Sequence, residues 1–126
     1  GITLGQALAK ALGDKKGIRR YGSFAVPMDE ALIRVTLDIS GRPSLYVSKA
    51  KGVRLSRHPK YSFDDAVDFL RAFCQNAGIN MHIGVLAGED THHIIEGLFK
   101  GVAKALDMAT CLDPRVHGIP STKGKL

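Results

Sequence analysis

The chain has 126 residues, 44% of them hydrophobic and 24% charged, with a formal net charge of +6. That composition suits one domain built on one hydrophobic core and excludes intrinsic disorder. No apolar run is long enough to span a bilayer and no signal-peptide pattern is present, while the excess of positive charge calls for an anionic partner, either a phosphorylated metabolite or a nucleic acid.

In chain order, Gly1–Leu12 reads as an amphipathic helix with Leu4, Ala7, Leu8, Ala11 and Leu12 in one apolar stripe, stopped by Gly13-Asp14. The chain has no initiating Met, so the expectation is a helix whose preceding sequence is absent here. A weak echo between Gly5-Gln6-Ala7-Leu8 and Ala103-Lys104-Ala105-Leu106 suggests a duplicated unit with the first copy mostly missing. Lys15–Tyr21 is a basic loop, a solvated turn or an anion clamp. Ser23–Val26 reads as a strand, with Pro27-Met28 as punctuation.

Ala31–Ile39 alternates in the manner of a half-buried strand, with Ile33, Val35, Leu37 and Ile39 on one side. Ser40-Gly41-Arg42-Pro43 is a hairpin turn signal, after which Ser44–Val47 returns as a strand. Lys49–Lys60 is basic and irregular, a mobile loop by composition. Ser62 can cap a helix over Phe63–Asn76, although Asp65 completes the capping box only in part, since Glu or Gln is usual there. Its apolar positions are Ala66, Phe69, Leu70 and Phe73, and Gly78 ends it. Ile79–Leu86 alternates again, with His82, Gly84 and Leu86 on one face. Cys74 and Cys111 lie outside any metal-binding or redox spacing and read as reduced thiols of a cytosolic protein.

The final helix begins in Glu89-Asp90-Thr91-His92-His93-Ile94-Ile95-Glu96. Asp90 or Thr91 can cap it, and Ile95, Leu98, Phe99, Val102 and Leu106 follow at helical spacing. At about 100° per residue, Glu96 sits about 40° from His92 and about 60° from His93, so all three polar heads leave through one sector. The two imidazoles diverge by about 100°, which suits contact with two neighbouring ions better than chelation of one. Imidazole with carboxylate suits manganese, iron or zinc. The bland alternative is a capped surface helix with solvated histidines. The tail carries Ser121, Thr122 and Lys123 between Pro120 and Gly124, hydroxyl and amine donors of the kind a phosphate monoester takes. Alone it would read as a disordered basic terminus.

The order helix, two or three antiparallel strands, helix, strand, helix implies an α+β two-layer sandwich with helices on one face of a mostly antiparallel sheet. The other face would then need a cover, from a missing repeat or another subunit.

Five motifs in this order resemble the imidazoleglycerol-phosphate dehydratase family. They are Lys16–Gly22, Pro27–Leu32, Asp38–Pro43, His92–Glu96 and Pro120–Gly124, and the resemblance covers nearly the whole chain apart from Lys49–Lys60. It implies a fold similar to the second domain of ribosomal protein S5. This chain would be a single dehydratase domain, 1–126, holding the second repeat and the last helix of the first. It implies a cytosolic or plastid enzyme forming a 24-subunit homo-oligomer, with two manganese ions per active site built at subunit contacts.

The implied reaction is dehydration of imidazole glycerol phosphate to imidazole acetol phosphate in histidine biosynthesis, through a diazafulvene-like intermediate and without a redox cofactor. By residue-wise match, His92, His93 and Glu96 would hold metal. Arg20, Arg42, Ser121 and Lys123 would grip the phosphate. Asp68 stands where many family members carry a His ligand and would substitute as a carboxylate. His82, in a strand near the metal helix, is either a structural histidine on a sheet face or a direct metal ligand or neighbour of one. The family's acid–base carboxylate falls in sequence that is absent here, so no residue of this chain is assigned that role. The rival readings are an inactive fragment of the same enzyme and an S5-like RNA-binding module. Against the latter, aromatics are only 6%, with no Trp, and do not interleave with the basic residues.

Overall fold

The computed structural model describes residues 1–56, 60–124 and 126. Three helices and four strands follow one another as α1 (Ile2–Leu12), β1 (Tyr21–Met28), β2 (Ala31–Asp38), β3 (Ser44–Lys49), α2 (Phe63–Ala77), β4 (Asn80–Ala87) and α3 (Thr91–Thr110). The α+β class expected from the sequence holds. The part of the Lys49–Lys60 loop at 57–59 lies outside the described residues, as does position 125 of the tail.

The sheet order is β1-β2-β4-β3. β1 and β2 form a tight antiparallel hairpin in which Met28 pairs with Ala31. β1 runs longer than expected and carries Pro27 inside it, which is tolerated because β1 is an edge strand. The turn signal at Ser40–Pro43 does not make a hairpin. β4 lies between β2 and β3, antiparallel to the first and parallel to the second. The reason is local: Gly41 N–H donates to Gly78 O and Ser44 N–H to Ile79 O, so the α2–β4 corner is seated at that turn. Parallel neighbours β3 and β4 are joined through α2, the connection such a pair requires.

One sheet face is apolar and closed. Ile33, Val35 and Leu37 of β2 alternate inward beside Met81, Ile83 and Val85 of β4, all at most 2% exposed. Removing such side chains from water stabilises the fold by about 1.5–3 kcal/mol each before conformational entropy is counted. α3 lies across β1 and β2. Its contact face differs from the expected one: Ile94, Gly97, Leu98, Gly101, Val102, Ala105 and Ala109 are buried, whereas Phe99 is exposed and Ile95 and Leu106 lie at the margin. Small residues let the helix sit close. A Cβ on Gly22 of β1 would run into the carbonyl of Ala105, and one on Gly101 would stand 2.9 Å from Val35 Cγ2.

α2 carries a complete capping box despite its Asp. Ser62 Oγ accepts from Asp65 N–H at 3.1 Å, and Asp65 Oδ2 accepts from Ser62 N–H at 2.8 Å. α1 packs on α2 through backbone approach rather than through its leucine stripe. Gly1 sits against Phe69 and Ala72, and Gly5 against Phe73 and Asn76. The four-residue advance on both helices means that they run parallel. The expected stripe is therefore mostly outside: Leu4 and Ala7 are exposed and Leu8 is half-buried. An apolar groove of about 260 Å³ runs between Leu4, Leu8, Phe69, Phe73, Phe99 and Leu106.

Candidate functional site

The site divides between the two ends of α3. At its N-terminus Asp90 is the cap, its Oδ1 accepting from His92 N–H at 2.7 Å and His93 N–H at 3.3 Å. This fixes the two residues whose side chains carry the imidazoles. His92 Nε2 stands 3.3 Å from Glu96 Oε2, as the helical spacing requires, and its Nδ1 lies 2.9 Å from the Tyr61 hydroxyl. Glu96 Oε1 pairs with Lys100 at 2.7 Å, and this hydrogen bond is the main reason its carboxyl lies below the usual range.

His93 turns the other way, toward the β1–β2 turn. Its Nδ1 is 2.7 Å from Glu30 Oε2 and its Nε2 is 3.5 Å from Asp29 Oδ2. The other Glu30 oxygen accepts from Asp90 N–H at 2.9 Å and Glu89 N–H at 3.1 Å. Glu30 is consequently pulled down to about 2, first by the Asp90 amide, then by His93 and the Glu89 amide. His93 is raised, chiefly by its bond to Glu30.

The donors thus come in nitrogen–oxygen pairs. Two adjacent ligands about 2.1 Å from an octahedral ion lie about 3.0 Å apart. The His92–Glu96 separation of 3.3 Å approaches that bite, so this pair fits a divalent transition metal. Among the described residues no three His, Cys, Asp or Glu side chains converge closely enough to hold an ion. Asp68 is exposed on α2 and makes no hydrogen bond or ion pair with His92, His93 or Glu96. His82 is on the open sheet face, its ring stacked on Tyr46 at 4.6 Å. It lines a polar hollow of about 340 Å³ with Ser23, Arg34, Thr36 and Ser48.

The phosphate candidates gather at the other end. Arg20 N–H donates to Ala109 O, in the last turn of α3, and Arg20 O accepts from Ile39 N–H. The Arg20 side chain, 13% exposed, grips Asp38 with two bonds of 2.6 and 3.0 Å and donates to Pro120 O at 2.8 Å. Its pKa is raised first by Asp38. Arg20 therefore anchors the tail that carries Ser121 and Lys123. The tail is further stitched to the chain by Gly17 N–H to Gly118 O and by the Ile18–Leu112 bridge, so it is placed rather than loose. Gly41, beside Arg42, abuts the backbone of Leu126. Arg42 is exposed; its N–H donates to Ser40 Oγ at 3.2 Å and its Nη1 to Ser40 O at 3.4 Å.

Asp29 and Glu30 were not singled out as site residues by sequence reasoning, although they fall within one of the five motifs. Glu30 is 63 positions from His93, and the two carboxylates meet it only because β1–β2 forms a hairpin under α3. The available signal was the adjacent carboxylates Asp29-Glu30 between two strand patterns; the structure adds that Asp29 sits at positive φ (49°).

Fold and donor set define an α+β domain with imidazole–carboxylate pairs at one end of a helix and an anchored arginine at the other. Comparison with known proteins gives the family. The model of the imidazoleglycerol-phosphate dehydratase family matches residues 1–106, and the chain belongs to that family. The imidazoleglycerol-phosphate dehydratase of Thermoanaerobacter pseudethanolicus is 52% identical over 126 residues, a match covering 100% of this chain and 64% of that protein. Two solved structures superpose well. The imidazoleglycerol-phosphate dehydratase of Staphylococcus aureus has a TM-score of 0.79 and 38% identity, covering 89% of this chain and 64% of that one. The enzyme from Pyrococcus furiosus, in complex with (S)-C348, has a TM-score of 0.82 and 37% identity over 99% of this chain and 66% of that one. The chain thus spans about 64% of the length of the curated relatives it matches.

Proposed function

We propose that this chain supplies part of the site that dehydrates imidazole glycerol phosphate to imidazole acetol phosphate in histidine biosynthesis, and that a complete site needs protein beyond one copy of these residues. Family membership supports the reaction. The observation that carries the second half is the separation of the two candidate subsites. His93 and Ala109, whose carbonyl takes the Arg20 amide, are 16 residues apart on α3, about 24 Å along the helix axis. The substrate has only a three-carbon chain between ring and phosphate, with bonds of about 1.5 Å, and spans less than about 10 Å. One chain cannot present both ends to one molecule. Two copies, arranged so that the N-terminal end of one α3 faces the C-terminal end of another, can.

In this reading His92, Glu96 and His93 hold manganese, which when bound supplies a Lewis acid for the imidazole ring. Asp68 is a further donor only toward a site shared with another segment. Arg42, Lys123 and Ser121 hold the phosphate through charge-assisted hydrogen bonds, and Arg20 presents the tail to them. Holding both ends of the substrate aligns the carbon that loses its proton with the carbon that loses hydroxide. This reading places the protein in the cytoplasm. No helix among the described residues is long and apolar enough to cross a membrane.

The test is metal stoichiometry and turnover together. The 126-residue chain alone should bind at most one manganese ion per copy and show little dehydratase activity. A longer protein restoring the remaining third of the relatives' length should bind two and turn over. Two tightly held ions and full turnover in the short chain would overturn the incomplete-site reading. The alternative, an inactive fragment, is favoured by the same pairwise donor count. It is distinguished by adding in trans the part of the relatives that this chain does not cover, which recovers activity only if this chain contributes its share.

A further inference from the structure

We propose that Glu30 is a positioning residue that sets the tautomer of His93, fixing the ring proton on Nδ1 and presenting Nε2 as the lone-pair donor. The proposal rests on the metal reading above for its purpose, but its geometry stands independently. A carboxylate is an acceptor only, so the 2.7 Å contact between Glu30 Oε2 and His93 Nδ1 requires the proton on that nitrogen. Neutral imidazole then has its lone pair on Nε2, the atom that faces Asp29 across 3.5 Å.

Glu30 can impose this because it cannot swing away. Its second oxygen is held by two backbone amides, Glu89 N–H and Asp90 N–H, at the mouth of α3. Those two donors aim one oxygen at the backbone and leave the other for the imidazole. The hairpin places it there by having only Asp29 and Glu30 between the paired residues Met28 and Ala31. His92 is held differently: its Nδ1 meets the Tyr61 hydroxyl, which can donate or accept, and the carboxylate beside it, Glu96, stands 3.3 Å from the opposite nitrogen, Nε2. An outer carboxylate such as Glu30 tunes a ligating histidine and, when removed, typically lowers metal affinity about 10–100-fold.

Glu30→Gln is the decisive variant, because the two backbone amides keep its carbonyl oxygen where Oε1 was. The amide nitrogen is then forced toward His93, where it donates to Nδ1 and moves the ring proton to Nε2. The readout is the nitrogen NMR spectrum of histidine side chains in the metal-free chain, at a pH where His93 is neutral, with His92 as internal control. We expect Nδ1–H in the parent, Nε2–H in Glu30→Gln and Nδ1–H again in Glu30→Asp, which still cannot donate. Manganese affinity should fall about 10–100-fold in Glu30→Gln and recover partly in Glu30→Asp. A purely structural clamp would lower thermal stability without changing the tautomer. An unchanged Nδ1–H tautomer in Glu30→Gln, or Nε2–H in the parent, overturns the proposal. Should Glu30→Gln fail to fold, the parent and Glu30→Asp spectra decide. A parent chain that binds no manganese defeats the metal reading alone, while the tautomer shift still decides the role of Glu30.

Discussion

At the N-terminal end of α3 the functional side chains are half open to water and paired loosely with one another. His92 is matched with Glu96 at 3.3 Å, and His93 with Glu30 and Asp29. At the C-terminal end the central cation is closed off, with Arg20 locked on Asp38 and on Pro120 O. The first end has donors to spare and lacks enclosure; the second has an anchor in place and exposes the residues that hang from it. A cation that must release and rebind small molecules is better carried on an exposed side chain, such as Arg42 or Lys123, than on a buried pair. A metal donor set gains from partners that arrive later and close it. The rigid helix between them keeps the two ends apart, so the comparison can be broken first at the helix.

The largest effect is expected from Gly22→Ala. A Cβ there would occupy the space of the Ala105 carbonyl, which belongs to helix backbone and has little room to yield. α3 would have to lift from β1, disturbing both ends together. We expect a loss of at least about 3 kcal/mol, read as a collapse of the melting temperature or as failure to fold. Gly52→Ala provides the contrast. Among the described residues no atom lies within 4 Å of that Cβ, so the expected cost is the penalty of positive φ (97°), about 1–2 kcal/mol.

How much could be read in advance follows the same division. The N-terminal end is local: a cap, two histidines and a glutamate within seven residues, whose mutual angles follow from helix geometry alone. The alternation of β2 and β4 was equally plain, because Ile33, Val35 and Leu37 and then Met81, Ile83 and Val85 are buried at every second position. What escaped was whatever depends on distant chain. β4 inserting between β2 and β3 is decided by hydrogen bonds from Gly41 and Ser44 to the end of α2, 35 or more residues away. Glu30 beneath His93 depends on the hairpin docking under α3. The buried face of α3 is hard to read from sequence because glycine and alanine carry it. Apolar pattern reading weights Phe99 and Leu106, whereas close helix–sheet approach selects Gly97, Gly101 and Ala105.

Arg20→Ala comes next in size and acts on one end only. It removes both bonds to Asp38 and the link to the tail, leaving a largely covered carboxylate without its partner. A loss of about 2–4 kcal/mol is expected, together with faster proteolysis after residue 118. Manganese binding at the far end should not change. A stable variant with a protected tail would show that Arg20 is not the anchor. Arg42→Ala and Lys123→Ala sharpen the comparison further. Each should weaken binding of a phosphate analogue by about 1.5–3 kcal/mol in the extended protein while metal content stays constant. Loss of manganese with normal phosphate affinity would reverse the assignment of the two ends.

The smallest effect is electrostatic and belongs to the N-terminal end. Glu30 is lowered on folding from its ordinary 4.5 to about 2, so its contribution is fully present above 4.5 and disappears as pH falls through about 2. His93 is raised above its ordinary 6.5, so its contribution is fully present below 6.5 and disappears as pH rises through the raised folded value. The two windows overlap between about pH 4.5 and 6.5, where the carboxylate is ionised in both states and the imidazolium is stabilised in the folded one. Both groups are open to solvent, so the pair is screened and its effect is modest. The melting-temperature difference between the parent and Glu30→Ala should therefore be widest within that window and narrow on either side. On the alkaline side a remnant persists, because neutral His93 still donates its Nδ1 proton to the carboxylate. Added salt should flatten the bell. The Arg20–Asp38 pair should respond differently, since Arg20 stays charged throughout: the Arg20→Ala difference should hold level from pH 5 to 9. A flat profile for Glu30→Ala over the same range would mean that the carboxylate serves the two backbone amides alone and that His93 draws nothing from it.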